Sequence, residues 1–240
     1  MRLRRALSRF YNKAEAAYDR CLAPLAYPSF FRQLLRQTHN FDNTTWLGNP
    51  IWQNVLDLWS LQEVLAVLRP ELLIESGTNR GGSSLFFAHL FDIMGHGRVI
   101  TIDIERLHHL SHPRITYLFG SSTSEEIVSA VRAQVVACHG PVMVILDSDH
   151  SEQHVLRELQ CYTPFVTVGS YCLVQDGVID TLLYFRPDRP GPLPAIETFL
   201  RTTDEFEVDE KRCQRFLISH HPRGWLKRKS DRRARTGEPQ

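Results

Sequence analysis

Cysteine is scarce in this chain of 240 residues, and the five that occur, Cys21, Cys138, Cys161, Cys172 and Cys213, are scattered with no CxxC pair. That pattern excludes a disulfide framework and a zinc ribbon, and it favours reduced thiols, most of them in a core, in a cytoplasmic protein. Long apolar runs are missing too. None approaches the ~18 residues of a membrane-spanning helix, and Arg2, Arg4 and Arg5 are not followed by the apolar run of about seven or more that a signal peptide needs. An excess of one charge is also lacking, since 28 basic residues face 27 acidic ones for a formal net charge of +1. No overall field therefore points to nucleic acid or to a membrane surface, and no specific nucleic-acid partner is expected. Neither the GxGxxG of dinucleotide dehydrogenases nor the GK[ST] ending of a phosphate loop occurs, and no internal repeat is visible.

What is present is a 42% hydrophobic chain, enough for one substantial core in a single α/β domain with extensions. Leu3, Leu7, Phe10, Tyr11 and Ala14 recur at helical spacing and predict a helix from Met1 to about Tyr27, ended by Pro24 and Pro28, with a second piece over Phe30–Gln37. Ile51–Val67 reads as another helix. Strand and helix then alternate: strands over Leu72–Glu75, Arg98–Ile104, Ile115–Phe119, Val142–Leu146 and Tyr171–Val174, and helices over Ser83–Met94, Ser124–Ala137, His154–Tyr162 and Ala195–Arg201. Phe206–Asp209 and Phe216–Ser219 read as a terminal strand pair. This order predicts a Rossmann-like, doubly wound, mostly parallel sheet. The expected divisions are a helical extension and lid over 1–69, the sheet domain over 70–222, and a basic, disordered tail over 223–240 carrying Lys227, Arg228, Lys229, Arg232, Arg233 and Arg235. Binding of that tail to nucleic acid or acidic lipid is the minor expectation beside simple solvation.

The stretch Glu71–Leu85, ELLIESGTNRGGSSL, carries the strongest signal. An apolar strand ends at Glu75, a glycine-rich turn follows, and a helix starts, which is where open parallel sheets bind ligands. Gly77, Gly81 and Gly82 let the backbone pass close to a bound molecule. Asp103 ends the next strand, 28 residues on, where a carboxylate can accept hydrogen bonds from a ribose diol; the alternative is a turn or helix-capping acid. Leu146–His154 reads LDSDHSEQH, two carboxylates and two imidazoles at one strand end. Asp147 or Asp149, with Gln175 and Asp176 from the neighbouring strand, could supply oxygens to Mg²⁺. A rival reading pairs His150 and His154, four apart, with an aspartate around zinc or iron, and the blandest makes Asp147 or Asp149 a helix cap and leaves His154 on the surface or behind the residues that touch a ligand. The segments Thr38–Trp52 and Asp180–Pro194 are expected to wall the acceptor site, the latter with Tyr184, Phe185, Arg186 and Arg189, although Tyr184 and Phe185 equally fit a role in closing the core.

Five blocks in order, RPELLIESGTNRGGSSL, VITIDIE, GSST at Gly120–Thr123, LDSDHSEQHVLREL and VGSYCLVQDGVID, together with Val55–Glu63, resemble the cephalosporin hydroxylase / rhamnosyl O-methyltransferase family over about Trp46–Trp225. The resemblance implies a class I methyltransferase fold with a seven-stranded sheet, S-adenosylmethionine as cofactor, a divalent metal such as Mg²⁺, and a small-molecule hydroxyl acceptor: a glycoside, a lipid-linked sugar or an antibiotic-like metabolite. It places Glu75, Gly77, Asn79 and Gly81 at the methionine end of the cofactor, Asp103 at its ribose, and Gly120, Ser121 and Ser122 at the adenine side. Asp147 and Asp176 match metal aspartates of similar enzymes. Gln175 stands where those enzymes carry an acid, and one negative charge fewer weakens affinity for a hard dication. His150 stands where catechol-type enzymes place a basic lysine, and a histidine with an ordinary pKa of ~6.5 suits that task near neutrality. A metal-dependent hydroxylase and a cofactor-binding protein with weakened chemistry are the other readings. Self-association into a homo-oligomer is left open.

Overall fold

Residues 2–37 and 43–229 are described by the computed structural model, which divides into two compact units, Met1–His39 and Asn40–Gln240. The first unit is one helix, α1 (Arg2–Gln37), with Pro24 and Pro28 inside it. The break expected there does not form. The two prolines are exposed, and the carbonyls left without an amide donor can turn to water, which keeps the cost of each proline local.

In the second unit a hairpin, β1 (Thr45–Trp46) and β2 (Asn49–Pro50), turns through Leu47 and Gly48, both at positive φ. The helix α2 (Val55–Leu68) follows, started by Asn54, whose side chain accepts from the Leu56 N–H at 3.1 Å. Its Leu61, Val64 and Leu65 are buried in the sheet core, so α2 is part of the sheet domain and the helical extension expected over 1–69 is shorter than foreseen.

Strands and helices then alternate: β3 (Leu72–Ser76), α3 (Gly82–Met94), β4 (Arg98–Asp103), β5 (Ile115–Phe119), α4 (Glu125–Val136), β6 (Val142–Leu146), α5 (Glu152–Tyr162), β7 (Tyr171–Val174), α6 (Pro192–Thr202), β8 (Phe206–Val208), the short α7 (Glu210–Cys213) and β9 (Trp225–Arg228). Because successive strand residues face opposite sides, one parity, Leu72, Ile74, Ile100, Ile102, Val142 and Val144, meets α4, α5 and α6. The other, Leu73, Val99, Met143 and Ile145, meets α2 and α3. Burial on both faces is why these strands read as continuous apolar runs.

The strand order is β5-β4-β3-β6-β7-β9-β8, parallel from β5 through β7, with β9 antiparallel to both neighbours. The chain builds outward from β3 through β5 and then returns to place β6 on the other side of β3. A crevice opens at the carboxyl ends of strands where the winding reverses, here between β3 and β6.

The terminal strand differs from expectation. Phe216–Ser219 forms no strand, since Leu217 sits at φ +64 with its side chain exposed. The seventh strand is instead Trp225–Arg228, anchored by fully buried Trp225 and Leu226. Three residues assigned to a solvated tail are therefore structural. Lys227 lies over the Tyr171 ring at 6.0 Å, Arg228 Nη1 donates to the Val166 carbonyl at 2.6 Å, and the Lys229 amide donates to the Glu205 carbonyl. Arg232, Arg233, Arg235 and the rest of the expected tail lie outside the described residues, as does the 38–42 part of the expected acceptor wall.

Candidate active site

Leaving β3, the chain turns at Gly77, φ +91, where a Cβ would overlap the carbonyl of Asp147 at the end of β6. Asn79, also at positive φ, directs its N–H to Asp103 Oδ2 at 2.7 Å, and Asp103 Oδ1 accepts from the Glu105 N–H at 3.2 Å. The glycine turn is thus tied to the ends of both neighbouring strands. Gly81 starts α3 at φ +78, and a Cβ there would come 3.0 Å from Leu110.

A cavity of about 490 Å³ opens over this edge, lined by Gly77, Asn79, Asp103, Gly120, Ser121 and Ser122 among others. Six of the eight residues expected to hold the cofactor meet there. Glu75 and Gly81 line neither cavity of the crevice. Glu75 is buried behind the turn, its Oε2 accepting from Ser84 Oγ at 2.5 Å and Thr101 Oγ1 at 2.7 Å, and burial pushes its carboxyl upward despite these hydrogen bonds. It braces the turn from beneath. His154, expected on the surface or behind the residues that touch a ligand, lines the cavity. Its Nε2 lies 3.1 Å from Ser122 Oγ and 3.5 Å from Oε1 of buried Glu158. The hydrogen bond to Glu158 raises the imidazole pKa over the opposing effect of burial.

A second cavity of about 310 Å³ shares Gly77, Asn79, Asp147 and Ser148 with the first and adds Pro50, Trp52, Gln53, Arg80, His150 and Asp176. Here Asp147, His150 and Asp176 each offer one ligand atom, all within 4.8 Å of one another. His150 Nε2 is 3.2 Å from Asp176 Oδ2, and His220 Nδ1 is 3.5 Å from Asp176 Oδ1. Burial raises the Asp176 carboxyl, but His150, His220 and His221 outweigh it and hold the group below the ordinary range. Asp147 moves the other way, raised well above that range by burial and then by the like charge of Asp176.

Two expected metal ligands do not join this cluster. Asp149 turns into the larger cavity, its Oδ1 accepting from the Ser151 N–H at 2.8 Å at the start of α5. Gln175 is buried, its Oε1 accepting from Gln53 Nε2 at 2.7 Å, and Gln53 Nε2 also donates to Asp147 Oδ2 at 2.8 Å. With the Gln175 amide turned over, its nitrogen would face Asp147 Oδ1 at 3.1 Å instead. The His150/His154 pair also fails as a joint metal site: α5 begins at Glu152, so His150 precedes the helix, and the two rings line different cavities. Of the two expected acceptor walls, Pro50 and Trp52 line the smaller cavity, whereas among the described residues of Asp180–Pro194, which leave out the Tyr184 side chain, none lines either. Asp180 instead accepts from the Gly191 and Leu193 amides at the start of α6.

Gln53, His220 and His221 are the site residues that the sequence reading missed. The two carboxylates suit a hard dication, and the close approach of Asp147 to Asp176 is the like-charge repulsion a cation relieves.

The reversed winding, the glycine turn at the switch point and the acid ending β4 define a class I methyltransferase-type fold. Residues 38–229 match the family model described as Rhamnosyl O-methyltransferase/CmcI. Rhamnosyl O-methyltransferases from Mycobacterium tuberculosis and Mycobacterium leprae are 35% and 33% identical over 194 residues, covering 76% and 79% of this chain and 77% and 85% of theirs. Among solved structures, CmcI in an apo form and in one described as Mg-SAM each align with TM-score 0.63, at 22% and 21% identity, over 80% of this chain and 78% of theirs. The chain belongs to the rhamnosyl O-methyltransferase/CmcI family and is an S-adenosylmethionine-dependent O-methyltransferase.

Proposed function

We propose that this chain methylates a hydroxyl of a sugar, a rhamnosyl unit by analogy with its mycobacterial relatives, using S-adenosylmethionine and assisted by Mg²⁺. One observation carries the reading: the two cavities meet at Asp147, with Asp103 across one and the Asp147–His150–Asp176 cluster in the other. Asp103, Asn79, Gly120, Ser121 and Ser122 would hold the cofactor, and Asp147 and Asp176 the dication. When bound, these groups supply an electrophilic methyl carbon with a sulfide leaving group, and a positive charge to offset the developing alkoxide.

The chain's own part is position and proton transfer. Trp52, about half exposed at the smaller cavity, offers an aromatic face to a sugar ring. His150 takes the acceptor's hydroxyl proton, and the imidazolium so formed is stabilised by Asp176 Oδ2 at 3.2 Å. The larger cavity and the smaller one both fall within the range of small-molecule sites, about 300–1,000 Å³. Cytoplasmic action is part of the proposal, supported by five cysteines that are all free.

The test is a thermal shift with S-adenosylmethionine, with and without Mg²⁺, followed by mass detection of methyl transfer to rhamnosyl glycosides. A shift that needs the cofactor and a product that needs both is expected; no shift at millimolar cofactor would overturn the reading.

A further inference from the structure

Asp57 lies in the first turn of α2 and is 3% exposed. An acid there ordinarily serves its own helix, by favouring the amino-terminal dipole or capping free amides. Only one of this carboxylate's hydrogen bonds is local, from Asn54 Nδ2 at 3.1 Å. The others come from the far end of the chain: Ser219 Oγ donates to Oδ1 at 2.6 Å, and the His220 N–H donates to Oδ2 at 2.8 Å. His221 Nε2 lies 3.8 Å from Oδ2.

The loop so held is the one that holds Asp176. The His221 N–H donates to Ser219 Oγ at 2.9 Å, His221 Nδ1 accepts from the Asp176 N–H at 3.2 Å, and the His220 carbonyl accepts from the Val178 N–H at 3.1 Å. Asp176 itself sits at φ +56, a left-handed backbone that aspartate tolerates better than most side chains and that these hydrogen bonds help to hold. Its side chain then faces His220 on one oxygen and His150 on the other.

We infer that Asp57 is a positioning residue for the dication site, fixing Asp176 through the Ser219–His221 loop without touching the reacting groups. The inference rests on the metal reading proposed above. Removing a hydrogen-bond partner behind a metal ligand characteristically weakens metal affinity about 10–100-fold. The cofactor cavity is lined by neither Asp57 nor the loop, so cofactor affinity separates a positioning role from general support of the fold.

The experiment is calorimetric titration of the full chain with Mn²⁺ and, separately, with S-adenosylmethionine, for wild type, Asp57→Asn and the milder Ser219→Ala. Expected is a loss of Mn²⁺ affinity of about tenfold or more in Asp57→Asn, a smaller loss in Ser219→Ala, and cofactor affinity within about twofold of wild type in both. Wild-type Mn²⁺ affinity in Asp57→Asn would overturn the inference alone, and so would parallel loss of Mn²⁺ and cofactor. Should Asp57→Asn fail to fold, unchanged Mn²⁺ affinity in Ser219→Ala would overturn it. A wild type that binds no Mn²⁺ would overturn the metal reading and this inference with it.

Discussion

Gly77 and Asp147 approach so closely that any side chain on the glycine would run into the aspartate's carbonyl oxygen. The contact joins β3 to β6 at the point where the winding reverses, and it forms the wall common to both cavities. Gly77→Ala should therefore cost about 2 kcal/mol or more, from the positive φ and the overlap together. For a chain of this size that lowers Tm by roughly 4–8 °C, and it should weaken cofactor binding as the wall shifts. A melt indistinguishable from wild type would contradict the geometry.

Asp103 already accepts two backbone amides, from Asn79 and Glu105, so its charge is oriented before any ligand arrives. Asp103→Asn keeps the shape but turns one acceptor into a donor facing an N–H. Hydrogen bonds to charged groups are worth about 1.5–3 kcal/mol, so S-adenosylmethionine affinity measured by calorimetry should fall roughly tenfold to a hundredfold.

Replacing Gln175 by glutamate would add a third carboxylate to Asp147 and Asp176, and this one would be buried. Without metal, the added charge should destabilise the fold by a few kcal/mol, an order-of-magnitude cost of burying an ion without a matching partner. With Mg²⁺ the penalty should be relieved, so the gap in Tm between chelator and Mg²⁺ should be wider than in wild type. An equal gap would mean that position 175 does not sense the cation.

The pairing of His154 with Glu158 gives the fold a pH dependence of known sign. The folded-state pKa is raised above its unfolded value, chiefly by the hydrogen bond to Glu158. This stabilisation is fully present below the ordinary histidine value of about 6.5 and is lost as pH rises through the higher folded value. His154→Gln should flatten that part of the Tm profile, which lies above the ordinary histidine value of about 6.5. A variant whose profile still declines like wild type would show another group to be responsible.

The parallel core was legible because two-sided burial writes continuous apolar runs between glycine and acid punctuation. Val142–Leu146 and Tyr171–Val174 fall where they were expected to the residue. The lining of the larger cavity was legible for the same reason, since Asp103, Asn79 and Gly120–Ser122 lie at or just after strand ends. Gln53, Asp57, His220 and His221 were not, because they reach the site from helix and loop positions distant in sequence, 45 residues between His221 and Asp176 and 94 between Gln53 and Asp147, and no local pattern marks such a contact. Trp225–Arg228 was missed because its four residues include two basic ones; only the sheet shows that those flank a buried tryptophan. Reading the strand ends residue by residue also put Asp149 and Gln175 beside Asp147 and Asp176 as ligands, because adjacency in sequence does not say which side chain turns into the cluster.

The placing of β9 between β7 and β8 has a practical corollary. A chain cut after Pro222 would shed Trp225 from the interior, strand β8 away from its sheet, and leave β7 with a naked row of amides and carbonyls open to pairing with other copies. Expression of such a shortened form should yield aggregates, so tags and trims at this terminus belong beyond Lys229.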